Sequence, residues 1–254
     1  MLRLCSILLP LTALSSSLFA QRSVVNQNTE WFTITSSLKV HSRINILAEG
    51  QFRYIDDFQP MQFQIRTGVD LTLNKHWSIV PLAYVYTWNP IYGKQPAQFV
   101  NNEHRIWQQV NYSHKTGRFK LGHRVRLEQR YIKVHTDTSG EIVDEGYDLR
   151  TNRIRYRFVA ILPLNSYEMK AGTIFANFYE EIFMSWGEPV TYHKPDQNRI
   201  FAGVGYQFSK QASVQAGFFY QMLIKANGTR QENNIGIHAQ LNLNLDLRKQ
   251  QELN

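Results

Sequence analysis

Apolar and polar residues alternate along most of the chain with a period of two. In RINILAEGQFRY (43–54), for example, Ile44, Ile46 and Phe52 alternate with arginine, asparagine and glutamine. Successive side chains of a β-strand point to opposite faces, so each such segment predicts a strand with one apolar and one polar face. The pattern predicts strands at 29–40, 43–54, 62–73, 76–88, 102–114, 117–132, 152–162, 166–183, 198–209, 212–224 and 235–247.

These predicted strands are longer than the five or six residues usual in soluble proteins, and they suit a tilted crossing of a bilayer. Their connections alternate in length. Short turns fall at 75–76, 114–117, 163–166 and 209–211, and longer segments at 89–101, 133–147, 184–197 and 225–232. Short turns at one end and long loops at the other are typical of bacterial outer-membrane proteins. The sequence therefore predicts an all-β fold, a transmembrane antiparallel up-and-down β-barrel.

The predicted number of strands is about 12, within a range of 10–12, because such barrels usually have an even number. A strand missing from the eleven segments would lie at Val24–Asn28 or within 180–195. Trp77 and Trp88 lie near the two ends of one strand, where interfacial aromatic residues are expected. Simple alternation places them on opposite faces, so a bulge must intervene or one of them faces inward.

The first twenty residues, MLRLCSILLPLTALSSSLFA, have the layout of a secretory signal peptide: a cation, an apolar run and small residues. Cleavage is expected near Ala20, which leaves residues 21–254 as a single barrel domain in the bacterial outer membrane. The chain's one cysteine, Cys5, lies in the removed segment. The mature chain is therefore expected to lack disulfides, thiol catalysis and cysteine-bound metal.

The net charge of +8 and an aromatic content of 13% refine this prediction. A basic excess favours nucleic acid, an anionic membrane surface or acidic solutes, and export argues against nucleic acid. The expected partners are outer-membrane lipid and lipopolysaccharide, together with small anionic solutes. Neither a cofactor nor a metal site is predicted, since the histidines lack the spacing of metal ligands.

The polar face is most densely charged along the middle strands. It is predicted to point into the lumen and to contain Glu103, Arg105, Arg124, Arg126, Glu128, Arg130, Arg153, Arg155, Arg157 and Glu180. Two hypotheses follow. These residues form a salt-bridge lattice that fills and stiffens the barrel, or their excess of arginine lines a narrow channel for anionic solutes such as acidic sugars.

Four segments resemble a known family: NEHRIWQQ (102–109), LGHRVRLEQRY (121–131), NRIRYR (152–157) and YEEIF (179–183). They are similar to the motif series of DUF2490, a bacterial family of unknown function. The resemblance extends over nearly the whole mature chain and implies an outer-membrane barrel. It implies no activity, so no catalytic residue is carried over.

Two other classes of protein remain open at this point. In a secreted β-sandwich or lipocalin-like barrel, the apolar faces would instead pack into a core. In a lipid-modifying outer-membrane enzyme, a serine and a histidine would meet on the outer surface. His123, which interrupts an apolar row, is the candidate base for such an enzyme. Without supporting serine or aspartate spacing, the sequence favours a protein that is not an enzyme.

Overall fold

A computed structural model describes residues 22–138, 140–191 and 195–248; the predicted signal peptide lies outside these ranges. Within them the chain forms eleven β-strands. They are β1 (Ser23–His41), β2 (Ile44–Ile55), β3 (Gln59–Thr72), β4 (Trp77–Trp88), β5 (Glu103–Thr116), β6 (Phe119–Thr138), β7 (Glu141–Pro163), β8 (Thr173–Trp186), β9 (Gln197–Gln207), β10 (Ala212–Ile224) and β11 (Arg230–Asp246).

The strands close into one barrel in chain order, each antiparallel to the next. The closing pair, β1 and β11, is parallel, with Trp31 opposite His238. An odd number of strands requires this, because direction reverses at each turn and the eleventh strand then runs the same way as the first. Of the two places suggested for a twelfth strand, Val24–Asn28 extends β1, and the first part of 180–195 belongs to β8. The predicted barrel is confirmed, with eleven strands.

The barrel has two different ends. We call the end with the connections after β1, β3, β5, β7 and β9 the turn end, and the opposite one the loop end. The loop predicted at 133–147 is instead paired, because β6 and β7 continue as a hairpin beyond their neighbours. Lys133 and Asp144 form a salt bridge across this hairpin. Its charged residues and glycine were typical of a loop, but cross-strand pairing keeps both arms extended.

A bulge in β4 resolves the positions of its two tryptophans. The register of β4 against β5 shifts between Val80 and Ala83, next to Pro81. Proline lacks the N–H that a ladder needs, and a bulge is one place where a strand accommodates it. The extra residue changes the parity, so Trp77 and Trp88 are both exposed. Of the two alternatives that their opposite parity allowed, a bulge or an inward-facing tryptophan, the structure has the bulge.

The outer face of the barrel is apolar. Ile65, for example, is 72% exposed and Ile237 60% exposed. Every strand exposes large apolar side chains, among them Phe32, Phe52, Ile65, Leu82, Val110, Val125, Ile154, Phe178, Val204, Phe218 and Ile237. The polar faces point inward, so the sandwich or lipocalin-like alternative, with apolar faces packed together, does not form. No helix in the described ranges is long and apolar enough to span a bilayer.

Aromatic side chains fill part of the interior beside glycines. Trp31, Tyr179, Phe201 and Phe219 form a buried cluster on β1, β8, β9 and β10. A Cβ atom added at Gly203 would lie 2.7 Å from Cζ of Phe201. Glycine on the inward faces therefore makes room for large rings, and these rings narrow the lumen.

Candidate functional site

Nine of the ten charged residues predicted to face the lumen do so. These are Glu103, Arg105, Arg124, Arg126, Glu128, Arg130, Arg153, Arg155 and Arg157. The strands place them together because β5, β6 and β7 are consecutive neighbours, with Arg126 directly opposite Arg155. Their side chains are buried or half-buried inside the barrel.

The prediction for Glu180 is wrong. Glu180 lies in the outward-facing row of β8 and accepts a hydrogen bond from Nδ2 of Asn198 at 2.9 Å. Its neighbour Glu181 points inward and is 2% exposed. Adjacent residues of a strand point to opposite faces, and here both faces carry aromatic residues, so polarity alone did not distinguish the two glutamates. The outward residues Ile182 and Trp186 give the parity that identifies Glu181.

Glu128 is the centre of one charge cluster. Its carboxylate accepts hydrogen bonds from Nε of Arg153 at 2.8 Å and from Nη1 of Arg155 at 2.7 Å. Arg126 lies 3.8 Å away on the same strand. Glu128 is 1% exposed, so these partners compensate for the loss of hydration of a buried carboxylate.

Glu181 is the centre of the second cluster. It accepts hydrogen bonds from Nη2 of Arg155 at 2.7 Å and from Nη2 of Arg124 at 2.5 Å. Arg199, on the other side of β8, approaches within 3.6 Å. Because Arg155 binds both Glu128 and Glu181, the two clusters form one network across four strands, β6 to β9.

Further pairs extend the network along the wall. Arg130 binds Glu103, with 2.6 Å between Nη2 and Oε2, and Arg105 contacts the same carboxylate. On the opposite wall, Arg66 pairs with Glu49. Further charged pairs are therefore present outside the two central clusters, between β2 and β3 and between β5 and β6.

Several guanidinium groups stack on inward-facing aromatic rings. The guanidinium carbon of Arg126 lies 3.8 Å from the ring centre of Trp107, and that of Arg157 lies 3.8 Å from Tyr179. Arg53 stacks on Trp31 at 4.0 Å. Stacking on the ring face leaves the N–H groups at the edge of the guanidinium free for hydrogen bonds. We call the residues Trp31, Glu128, Arg155, Tyr179, Glu181 and Phe183 the central layer.

The central layer separates two cavities. The turn-side cavity, toward the turn end, has a volume of about 630 Å³, and the loop-side cavity about 570 Å³. The two share no lining residue, and no member of the central layer lines either one. Within the described ranges, the central layer therefore lies between the two cavities and lines neither of them.

Both cavities are strongly cationic. Among the described residues, seven lysines and arginines but one carboxylate, Glu49, line the turn-side cavity. The loop-side cavity has nine lysines and arginines and two carboxylates, Glu103 and Asp196. A surplus of like charge inside a low-dielectric wall produces a potential that attracts anions.

The connection between β4 and β5 folds over the lumen at the loop end. The backbone N–H of Lys94 donates to Oε1 of Gln27 at 2.9 Å, and Nζ of Lys94 donates to a carbonyl of β1 at 2.8 Å. The Tyr92 hydroxyl donates to Glu232 at 3.3 Å. Burial, and then the adjacent negative charge, raise the pKa of Tyr92, so the hydroxyl keeps its proton. This loop thus reaches across the mouth to β1 and β11.

His123, the candidate base of a lipid-modifying enzyme, has a tyrosine and not a serine as its partner. His123 lies on the outer face, and its Nδ1 is 2.8 Å from the Tyr156 hydroxyl. In the described part of the chain, a single hydrogen bond joins a serine and a histidine side chain, between the neighbours Ser42 and His41 in an exposed turn. Neither arrangement supplies the nucleophile and oriented base of a hydrolase.

Some functional residues were not singled out from the sequence. Arg199 and Glu181 belong to the central charge network, and Trp107 and Phe183 provide the rings under its arginines. The inward parity of β9 could have identified Arg199. The aromatic residues gave no such signal, because large rings are expected on the outer face of a membrane barrel.

Taken together, the fold and its interior define a closed β-barrel with an apolar outer face and an arginine-rich lumen. The chain belongs to DUF2490, a family of proteins of unknown function, whose family model matches residues 28–233. Among solved structures it is similar to a NanC porin, with a TM-score of 0.47 and 10% sequence identity over 82% of this chain and 93% of that chain. No curated protein matches it.

Proposed function

We propose that this protein is a bacterial outer-membrane barrel whose cationic lumen admits small anionic solutes through a narrow passage. The observation that carries the proposal is the combination of an apolar outer face with two cationic cavities inside. The outer face matches the acyl chains of a bilayer, in which a closed barrel satisfies its backbone hydrogen bonds. The surplus of lysine and arginine would raise the local concentration of anions and disfavour cations.

The central layer makes a low conductance the expected behaviour. Glu128 and Glu181 hold their arginines by short hydrogen bonds, and aromatic rings occupy the space beside them. A solute that passes from one cavity to the other must displace side chains of this layer. We therefore expect slow, selective passage rather than the bulk flow of a wide pore.

A purely structural barrel is the second candidate, and the tight packing of the same layer favours it. In that case the arginine–glutamate network stiffens the wall and the lumen stays closed. The two candidates differ in one measurable property, since a structural barrel carries no ion current.

The test is ion selectivity in planar lipid bilayers. The chain from residue 21 onward, purified in detergent, should insert and give a reversal potential of anionic sign in a KCl gradient. Replacing Lys170 and Lys210, which line the turn-side cavity, by glutamine should reduce the anion preference. Replacing Lys75 and Lys115, outside that lining at the same end of the barrel, should leave it unchanged.

Three results would contradict the proposal. A chain that is soluble without detergent would remove the membrane location. An inserted barrel without current would favour the structural alternative. Equal effects of the two lysine pairs would show that the lumen charge does not control the current.

A further inference from the structure

Arg157 differs from the other arginines around the turn-side cavity. Arg66 binds Glu49, and Arg124 binds Glu181. Nε of Arg126 donates a hydrogen bond to Oε1 of Gln109 at 2.8 Å. No described carboxylate lies within salt-bridge distance of Arg157. Its buried Nε has no acceptor, a feature it shares with Nε of Arg66 and of Arg124. Arg157 lines the turn-side cavity, and none of its N–H groups donates a hydrogen bond to a side chain in the described ranges.

The position of this guanidinium is nevertheless well defined. Its carbon lies 3.8 Å from the centre of the Tyr179 ring. The Tyr179 hydroxyl is in turn 3.2 Å from Nδ1 of His238, whose Nε2 is 2.9 Å from Thr33. A stacked arginine that presents a free edge is organised to bind a carboxylate through two parallel hydrogen bonds.

The wall that begins at β8, the strand next to Arg157, carries a row of amides. Nδ2 of Asn177 donates to Gln215 at 2.8 Å, Gln215 donates to Gln240 at 3.1 Å, and Gln240 donates to Thr35 at 3.3 Å. This row crosses from β8 to β1. Oδ1 of Asn177 is buried and has no donor. An amide oxygen without a donor can accept a hydrogen bond from a hydroxyl group.

We propose that the turn-side cavity is a binding site for a small hydroxylated carboxylate, such as a sugar acid. Its carboxylate pairs with Arg157 and its hydroxyl groups bond to the amide row that begins at Asn177. The volume of about 630 Å³ is in the range of small-molecule sites. The proposal rests on the proposed anion-admitting function and adds a saturable site to it.

The test uses calorimetric titration of the detergent-solubilised chain with D-glucuronate, D-glucose and acetate. Glucuronate offers both the carboxylate and the hydroxyl groups, while glucose and acetate each lack one of them. Wild-type protein should therefore bind glucuronate more tightly than either comparator. Absence of saturable glucuronate binding would overturn the proposal.

Two variants and a control locate the site. Arg157→Gln should weaken glucuronate binding by about tenfold or more, the scale of one charge-assisted bidentate pair. Asn177→Ala should weaken glucuronate binding but leave acetate unaffected. Arg150→Gln removes one positive charge from the loop-side cavity. It should change neither glucuronate binding nor acetate binding. Equal losses in Arg157→Gln and Arg150→Gln would show a general charge effect and overturn the site.

Circular dichroism and heat-modifiable migration on SDS gels verify that each variant is folded. If Arg157→Gln fails to fold, Arg157→Lys keeps the charge and loses the two-pronged geometry. It should still bind glucuronate more weakly than wild type. Glucuronate binding is measured in detergent, whereas ion passage is measured in a membrane. The two measurements therefore test the binding site and the proposed function separately. An anion-selective barrel that does not bind glucuronate defeats this inference alone, and a barrel that binds but passes no current defeats the proposed function.

Discussion

Replacing Glu128 by glutamine tests whether the central charge network stabilises the barrel. Glu128 is 1% exposed and accepts three hydrogen bonds from Arg153 and Arg155. Each hydrogen bond to a charged group contributes about 1.5–3 kcal/mol, and removing one partner of a buried ion pair typically costs about 3–5 kcal/mol. Glutamine keeps one oxygen acceptor but leaves the two arginines without their shared countercharge. We therefore expect a loss of about 3 kcal/mol in the free energy of unfolding.

The loss can be measured by urea unfolding of the chain in lipid vesicles. Tryptophan fluorescence reports the transition, and heat-modifiable migration on SDS gels gives an independent measure of barrel closure. The variant should unfold at a lower urea concentration with an unchanged dependence on urea, since the surface exposed on unfolding stays the same.

The matched control is Glu168→Gln. Glu168 pairs with Lys115 at 3.3 Å, but the two side chains are 69% and 67% exposed at the turn end. Exposed pairs contribute about 0–1 kcal/mol, so this change should have little effect. If Glu128→Gln loses no more stability than the control, the network does not stabilise the barrel.

Three further predictions test separate parts of the structure. Arg126→Leu removes the stack on Trp107 and should lower the free energy of unfolding by about 2 kcal/mol in the same urea assay. Normal insertion of this variant with a change in ion selectivity alone would contradict a structural role for Arg126. Glu181→Gln should cost about 3 kcal/mol and Glu180→Gln less than about 1 kcal/mol, and equal losses would refute the inward assignment of Glu181. Gly93→Val should release the β4–β5 loop, because φ is +71° and a Cβ would lie 2.4 Å from Oε1 of Gln27. Limited proteolysis should then cut this loop faster, and an unchanged cleavage rate would argue that the loop is not held there.

The local part of the fold could be predicted from the sequence. Period-two alternation located the strands and assigned nine luminal charges, because a side chain's face depends only on its parity within the strand. For Trp77 and Trp88, the same parity argument allowed either a bulge in β4 or one inward-facing tryptophan, and the structure has the bulge. It failed at Glu180, where rings on both faces of β8 removed the contrast between polar and apolar positions.

The sequence by itself therefore determined a barrel with an apolar outside and an arginine-rich inside. Only the tertiary structure decided how the barrel closes and which charges meet. Arg155 joins Glu128 to Glu181 because the registers of β6, β7 and β8 bring them side by side, and no pattern within one strand contains that register. The stack that holds Arg157 beside the turn-side cavity likewise depends on a ring from the next strand. Alternation specifies a direction for each side chain, whereas its neighbours depend on how eleven strands align around one closed circumference.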